Sequence, residues 1–138
     1  MIKELWINLP VKNLKRSVDF FEAIGFSFAK NSPGFTPTSA PMQIGSKPVI
    51  IMLFESSIFQ SFTQNPIANA EQGTEVLFSF DAESREEVDE IAKKAEAAGA
   101  NVFAKPHEKD GWMYGCGFAD LDGHRWNSLF MDMSKLKG

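Results

Sequence analysis

The chain has 138 residues, a formal net charge of −4 and a single cysteine, and 43% of its residues are hydrophobic. This size and composition predict one domain, residues 1–138, that folds without disulfides. An acidic chain with scattered Lys and Arg is not expected to bind nucleic acid, and the absence of a bilayer-length apolar run predicts a cytoplasmic protein with no membrane partner.

The first half of the chain predicts a strand, a helix and three further strands. The first strand is expected over residues 4–11. A helix is expected to begin after Asn13, a favoured N-cap residue, and to end at Gly25. The later strands are expected over residues 26–30, 42–46 and 48–54.

The second half repeats this order of elements. A strand is expected over residues 74–82, and a helix is expected to begin after Ser84, where Glu87 completes a capping box. The three strands that follow are expected over residues 100–104, 113–119 and 124–131. The sequence therefore predicts two βαβββ modules, with a connector that has room for a short helix: residues 1–54, 55–73 and 74–138.

Two segments of the chain resemble those of the vicinal-oxygen-chelate superfamily, which includes glyoxalase I, bleomycin-resistance proteins, fosfomycin-resistance enzymes and extradiol dioxygenases. They are the opening INLPVKNLKRSVDFFEAIGF and the closing FADLDGHRWN, in which Leu121 stands where the family usually has Pro. The resemblance implies an α+β fold. Two tandem βαβββ modules would form a curled, open, barrel-like mixed sheet with the helices outside, and the protein would be a homodimer.

Period-two alternation predicts which face of a strand lines the resulting cup. The apolar sets, expected beneath the helices, are Leu5, Ile7 and Leu9 in the first strand and Val76, Phe78 and Phe80 in the fifth. The opposite sets, expected to line the cup, are Trp6 and Asn8 in the first strand and Glu75, Leu77 and Ser79 in the fifth.

Enzymes of this family hold a divalent ion with His and Glu side chains from four strands. Counting from the shared motifs places those positions at Trp6, Met52, Glu75 and Asn127. Indole, thioether and neutral amide groups are poor ligands for hard divalent ions, so we expect no metal and no other cofactor. We interpret His107, expected on a loop near the mouth of the cup, and His124 as surface or turn histidines; a divalent metal remains the alternative.

Without an ion, the cup is expected to bind a small, partly aromatic molecule. The expected ligand-binding residues are Trp6, Asn8, Met52, Phe54, Glu75, Leu77, Ser79, Trp112, Tyr114 and Asn127, of which Trp112 and Tyr114 would belong to a rim loop.

Two functions remain open from the sequence. The first is a metal-independent binding protein similar to the bleomycin-resistance branch. The second is a lyase, isomerase or dioxygenase of the same superfamily, either metal-dependent or using Glu75 as a general acid or base among aromatic rings. The alternative for Glu75 itself is an ion pair with a cation such as Arg125.

Overall fold

The computed structural model describes residues 1–47 and 49–135, which form two compact α+β units, residues 1–68 and the remainder from residue 69. The elements of the first unit are β1 (Trp6–Val11), α1 (Leu14–Ile24), β2 (Ser27–Phe28), β3 (Ser39–Ile44), β4 (Val49–Glu55) and α2 (Ser56–Thr63). The elements of the second unit are β5 (Leu77–Asp81), α3 (Arg85–Ala97), β6 (Asn101–Lys109), β7 (Met113–Ala119), β8 (Arg125–Met131) and a 3₁₀ turn (Met133–Lys135). None of the helices in these parts of the chain is long and apolar enough to cross a membrane.

Each unit contains one four-stranded mixed sheet, and the two sheets have the same topology. The strand order is β1-β4-β3-β2 in the first unit and β5-β8-β7-β6 in the second. In each sheet the first and last strands of the module are parallel neighbours, and the other pairs are antiparallel. The predicted α+β fold with two βαβββ modules is therefore confirmed.

Helix α1 begins and ends where the sequence predicts. The Asn13 side chain accepts a hydrogen bond from the backbone N–H of Arg16, and Gly25 closes the helix with a left-handed backbone at φ 116°. The helix buries one apolar face against its sheet, and the buried apolar residues on it are Leu14, Val18, Phe20, Phe21 and Ile24.

Helix α3 is capped by a variant of the predicted box. The Ser84 hydroxyl accepts a hydrogen bond from the Glu87 N–H, but the Glu87 carboxylate accepts from the N–H of Glu83, one residue before the cap. Both bonds fix the start of the helix, whose buried face is Val88, Ile91, Ala92 and Ala95.

Several bounds differ from the predicted ones because they depend on pairing between strands. Strand β3 begins at Ser39 rather than residue 42, since Ser39 pairs with Phe54 of β4. Strand β6 continues to Lys109 because it pairs with β7 through two register shifts, and as an edge strand it tolerates Pro106. The connector contains helix α2, and residue 48, where a strand was expected to begin, lies outside the described residues.

Candidate functional site

Each sheet has one face covered by α1 or α3 and an opposite, largely open face, and the predicted binding residues belong mainly to these open faces. In the first unit, Ile51 and Leu53 of β4 are buried on the helix side. Trp6 and Asn8 of β1 point to the other side, and the parallel register pairs Asn8 with Met52. The sequence therefore assigned Trp6, Asn8 and Met52 to the correct face.

These three residues line one concave region, which we call the Trp6 recess. It has a volume of about 350 Å³, and its walls are Trp6, Asn8, Ala29, Ser32, Gly34, Pro41, Ile50 and Met52. The Trp6 side chain is 59% exposed, so one large indole surface remains available for stacking.

Phe54 shares the open face with Met52 but lies outside this recess. Its ring packs edge-on against Phe62 of α2, with 5.1 Å between the ring centroids. The helix of the connector therefore covers Phe54 within the first unit, a contact that the sequence did not predict.

In the second unit, the final strand is oriented by the turn that precedes it. Asp120 is 7% exposed, and its Oδ1 accepts hydrogen bonds from the N–H groups of Asp122 and His124 at 2.9 and 3.0 Å. Its Oδ2 accepts from the indole N–H of Trp126 at 3.0 Å. Burial raises the pKa of this carboxyl, and the neighbouring His124 and the hydrogen bonds oppose that rise.

This turn decides where Asn127 points. Trp126 is 1% exposed and packs against Phe78 on the helix side of the sheet, with 4.9 Å between the ring centroids. Since neighbouring strand residues face opposite sides, Asn127 faces the open side, as predicted. Ser79 pairs with Asn127 in the parallel register and shares that face, as does Leu77.

Asn127 lies in a second concave region, which we call the Asn127 recess. Its volume is about 280 Å³, and its walls include Leu77, Phe103, His107, Lys109, Met113, Gly115, Gly117, Asn127 and Leu129. The Asn127 Oδ1 is buried and has no hydrogen-bond partner among the described residues. Asn127 therefore brings an unpaired polar atom to the wall of a largely apolar recess.

Glu75 does not lie in the expected strand. Strand β5 begins at Leu77, opposite Arg125, the first residue of β8, so the chain before Leu77 has no ladder partner on that strand. Glu75 occupies an exposed bend, and Val76, expected beneath the helix, is 52% exposed. The burial among aromatic rings on which the acid–base role of Glu75 depended is thus absent from the described structure.

Arg125 does not form the ion pair considered for Glu75. Its guanidinium lies over the ring of Phe103, with 4.2 Å from Cζ to the ring centroid. The Arg125 Nε is buried and has no hydrogen-bond partner among the described residues. Arg125 therefore makes a cation–π contact instead of the ion pair considered as the alternative role for Glu75.

His107 and Tyr114 differ from their expected positions. His107 belongs to β6 rather than to a loop, and it lines the Asn127 recess. Tyr114 lies within β7, and its hydroxyl donates a 2.6 Å hydrogen bond to Asp89 of α3, which places the side chain on the helix side. Trp112 is in the turn between β6 and β7, where its carbonyl accepts from the Asp132 N–H.

Sequence reasoning missed the contribution of Phe103. The signal was present in the paired glycines of β7, because Gly115 and Gly117 place no side chains on the open face. A Cβ built on Gly117 would lie 2.7 Å from two ring carbons of Phe103, so the glycine admits the ring.

The four positions that counting from the shared motifs assigns to the family's metal ligands are Trp6, Met52, Glu75 and Asn127. Only Glu75 offers a charged oxygen ligand. Within residues 1–47 and 49–135, no group of three or more His, Cys, Asp or Glu side chains is arranged to hold a metal ion. The residues present do not fit the family's metal site.

Comparison with known proteins supports the same family. The model of the Glyoxalase/Bleomycin resistance protein/Dioxygenase superfamily matches residues 5–127. The chain belongs to this superfamily.

Solved structures show the same fold. The hypothetical protein SA1046 from S. aureus is 34% identical, with 94% of this chain and 95% of that chain covered and a TM-score of 0.83. A glyoxalase-related enzyme from Fulvimarina pelagi is 17% identical, with 94% of this chain and 88% of that chain covered and a TM-score of 0.79. TnmS3, an antibiotic binding protein from Streptomyces sp. CB03234, is 18% identical, with 94% of this chain and 97% of that chain covered and a TM-score of 0.64. A comparison with curated proteins finds no match.

Proposed function

We propose that this protein binds a small, partly aromatic molecule on the open faces of its sheets without the help of a metal ion. The observation that carries the proposal is the unpartnered Oδ1 of Asn127 inside an apolar recess. A buried acceptor without a donor costs about 1–3 kcal/mol, and a ligand N–H or O–H group would recover that free energy.

The Trp6 recess supports the aromatic character of the ligand. An indole that is 59% exposed beside Asn8 and Met52 offers a stacking surface, a polar amide and a polarisable thioether. The fold shared with TnmS3, an antibiotic binding protein, supports a small-molecule ligand, although at 18% identity the likeness extends to the fold alone.

The proposal includes a homodimer in the cytoplasm, as the family resemblance implies. Size-exclusion chromatography with light scattering tests the dimer, because the expected mass is twice the 15.4 kDa of one chain. A mass of one chain at micromolar concentration would refute this part of the proposal.

The binding proposal is tested with N-phenyl-1-naphthylamine, a neutral aromatic probe that carries one N–H donor and fluoresces in apolar surroundings. We expect saturable binding that survives dialysis against EDTA, and less than stoichiometric metal by elemental analysis. Asn127→Ala should weaken binding by about 2–10-fold through the lost hydrogen bond. Asn31→Ala, which removes an exposed amide in a turn, is the matched control and should leave binding unchanged.

Two results would count against the proposal. One is an absence of saturable binding by the folded protein. The other is stoichiometric Ni²⁺, Zn²⁺, Mn²⁺ or Fe²⁺ in the purified protein, or a large stabilisation by one of these ions, which would favour the metal-dependent enzyme.

The alternative function is a lyase, isomerase or dioxygenase acting through Glu75. The exposed position of Glu75 gives that role no support from burial. Loss of a measured turnover in Glu75→Gln, with probe binding retained, is the result that would favour the enzyme over the binding protein.

A further inference from the structure

Arg125 is a cation on the open face of the second sheet whose hydrogen-bonding capacity is unused. It pairs in register with Leu77, lies two residues from Asn127, and rests on Phe103, a wall of the Asn127 recess. Among the described residues it forms no ion pair, and its buried Nε has no partner. The guanidinium Cζ lies 4.2 Å from the centroid of that ring, and the terminal N–H groups are available to a planar, bidentate acceptor.

The position of the guanidinium depends on its neighbours in the sheet. Phe103 can lie against β7 because Gly117 has no side chain there: a Cβ at Gly117 would come within 2.7 Å of the ring carbons Cε1 and Cζ. The ring in turn supports Arg125 at 4.2 Å. Gly117, Phe103 and Arg125 therefore form a stack across three neighbouring strands, β7, β6 and β8.

The charge of the Asn127 recess is opposite to that of the whole chain. The chain has 18 acidic and 14 basic residues. The described residues that line the recess include His107 and Lys109 but no Asp or Glu. Glu108, between them in sequence, is bound to Arg85 at 2.6 Å, and both Glu75 and Asp110 are exposed and outside the lining. The recess is therefore a basic region in an acidic protein.

We propose that the Asn127 recess recognises an anionic aromatic molecule, with Arg125 as the residue that receives the carboxylate or sulfonate group. The aromatic part would lie against Phe103 and Leu129, and Asn127 would bind a polar group on the ring system. This inference rests on the proposed function and narrows its ligand to an anion. A partly desolvated guanidinium gives stronger and more directional hydrogen bonds to such a group than an exposed lysine does.

Two probes that differ by one sulfonate test the inference. They are 8-anilinonaphthalene-1-sulfonate and N-phenyl-1-naphthylamine, titrated into the full chain at low ionic strength. We expect the sulfonate to bind about tenfold more tightly, since a hydrogen-bonded ion pair adds that much affinity. Arg125→Gln should reduce this ratio to about one while leaving the neutral probe within about twofold of its original affinity.

Phe103→Leu is the second variant, chosen because the ring is 44% exposed and its loss leaves the core intact. It keeps an apolar wall but removes the ring that supports Arg125, so the ratio of sulfonate to neutral probe affinity should decrease severalfold. This variant tests the inference even if Arg125→Gln is not obtained as a folded protein. Lys93→Gln removes one exposed positive charge from α3 and is the control for net charge. The ratio of the two probe affinities in this variant should equal that of the unaltered chain.

The outcomes separate this inference from the proposed function. If the neutral probe saturates but the sulfonate binds no more tightly, or if the ratio survives both Arg125→Gln and Phe103→Leu, the anion inference is wrong and the proposed function stands. If neither probe saturates, the proposed function is wrong, and the inference is overturned with it.

Discussion

Gly117→Ala tests the stack that supports Arg125 with the addition of a single methyl group. The added carbon would lie 2.7 Å from two ring atoms of Phe103, whereas carbon atoms in contact prefer about 3.5–4.0 Å. The ring must therefore move by about 1 Å. Because Phe103 is 44% exposed, it can move toward solvent rather than compress the core.

The expected loss of stability from Gly117→Ala is small because two effects oppose each other. Weakening the cation–π contact costs about 0.5–2 kcal/mol. Replacing glycine by alanine restricts the unfolded chain and returns about 0.4–1 kcal/mol. We therefore expect a change in the free energy of unfolding between a gain of about 0.5 kcal/mol and a loss of about 1.6 kcal/mol. The tenfold preference for the sulfonate probe should nevertheless be largely lost.

Gly115→Ala is the matched control on the same strand and face. A Cβ there would lie 2.8 Å from the backbone carbonyl oxygen of Ser128, which cannot swing away, so we expect a loss of about 1–3 kcal/mol. Urea unfolding followed by circular dichroism, with probe titrations below the transition, measures both effects. The proposed stack of Gly117, Phe103 and Arg125 is wrong if Gly117→Ala lowers the free energy of unfolding more than Gly115→Ala does. It is also wrong if Gly117→Ala keeps the full preference for the sulfonate probe over the neutral probe.

Three further predictions concern the second unit. Tyr114 is the single tyrosine, and its hydrogen bond to Asp89 raises its pKa. Ultraviolet titration should therefore give a midpoint above 10, which should decrease toward 10 in Asp89→Asn. An unchanged midpoint in the variant would refute the contact. Asp120→Ala removes three hydrogen bonds, one of them from the buried Trp126 N–H, and should cost about 2–5 kcal/mol in urea unfolding. A loss below about 1 kcal/mol would contradict the role of the turn. Ser84→Ala should cost about 0.5–2 kcal/mol by loss of the helix cap, whereas Ser134→Ala, in the exposed 3₁₀ turn after β8, should cost less.

Asp120 also makes stability depend on pH in a definite direction. The pKa of Asp120 is about 3.8 in the unfolded chain and is raised above that value in the folded chain. At a pH between these two pKa values, the folded state therefore binds more protons than the unfolded state. The contribution of Asp120 to stability is therefore fully present at low pH and declines as the pH rises through the folded pKa. The stability difference between the unaltered chain and Asp120→Asn should decline in the same direction.

The sequence predicted those features that depend on local interactions. Helix α1 begins after Asn13 and ends at Gly25 because capping bonds and a left-handed glycine act within one turn of the chain. The orientation of Asn127 was equally predictable, since the strand alternates and the turn before it has a recognisable spacing. These positions required no knowledge of contacts between distant segments.

The features that sequence reasoning missed depend on the pairing between strands. Strand β5 begins at Leu77 because Leu77 pairs with Arg125, the first residue of β8. Glu75 precedes this pair and is exposed, so its position depends on a residue 50 positions further along the chain. Two register shifts between β6 and β7 place Ala104 opposite Gly117 and His107 opposite Gly115, pairings that alternation along β6 does not predict. Such irregularities leave only a weak signal in sequence, here the two glycines of β7.

The family's metal positions and the basic recess support the same conclusion about the ligand. The ions of this family are held by imidazole and carboxylate groups, and Trp6, Met52 and Asn127 provide neither. In the second unit the recess instead carries His107 and Lys109, close to a stacked Arg125. Basic side chains favour an anion over a metal ion, so the composition of this recess agrees with both the unsuitable ligand set and the proposed class of ligand.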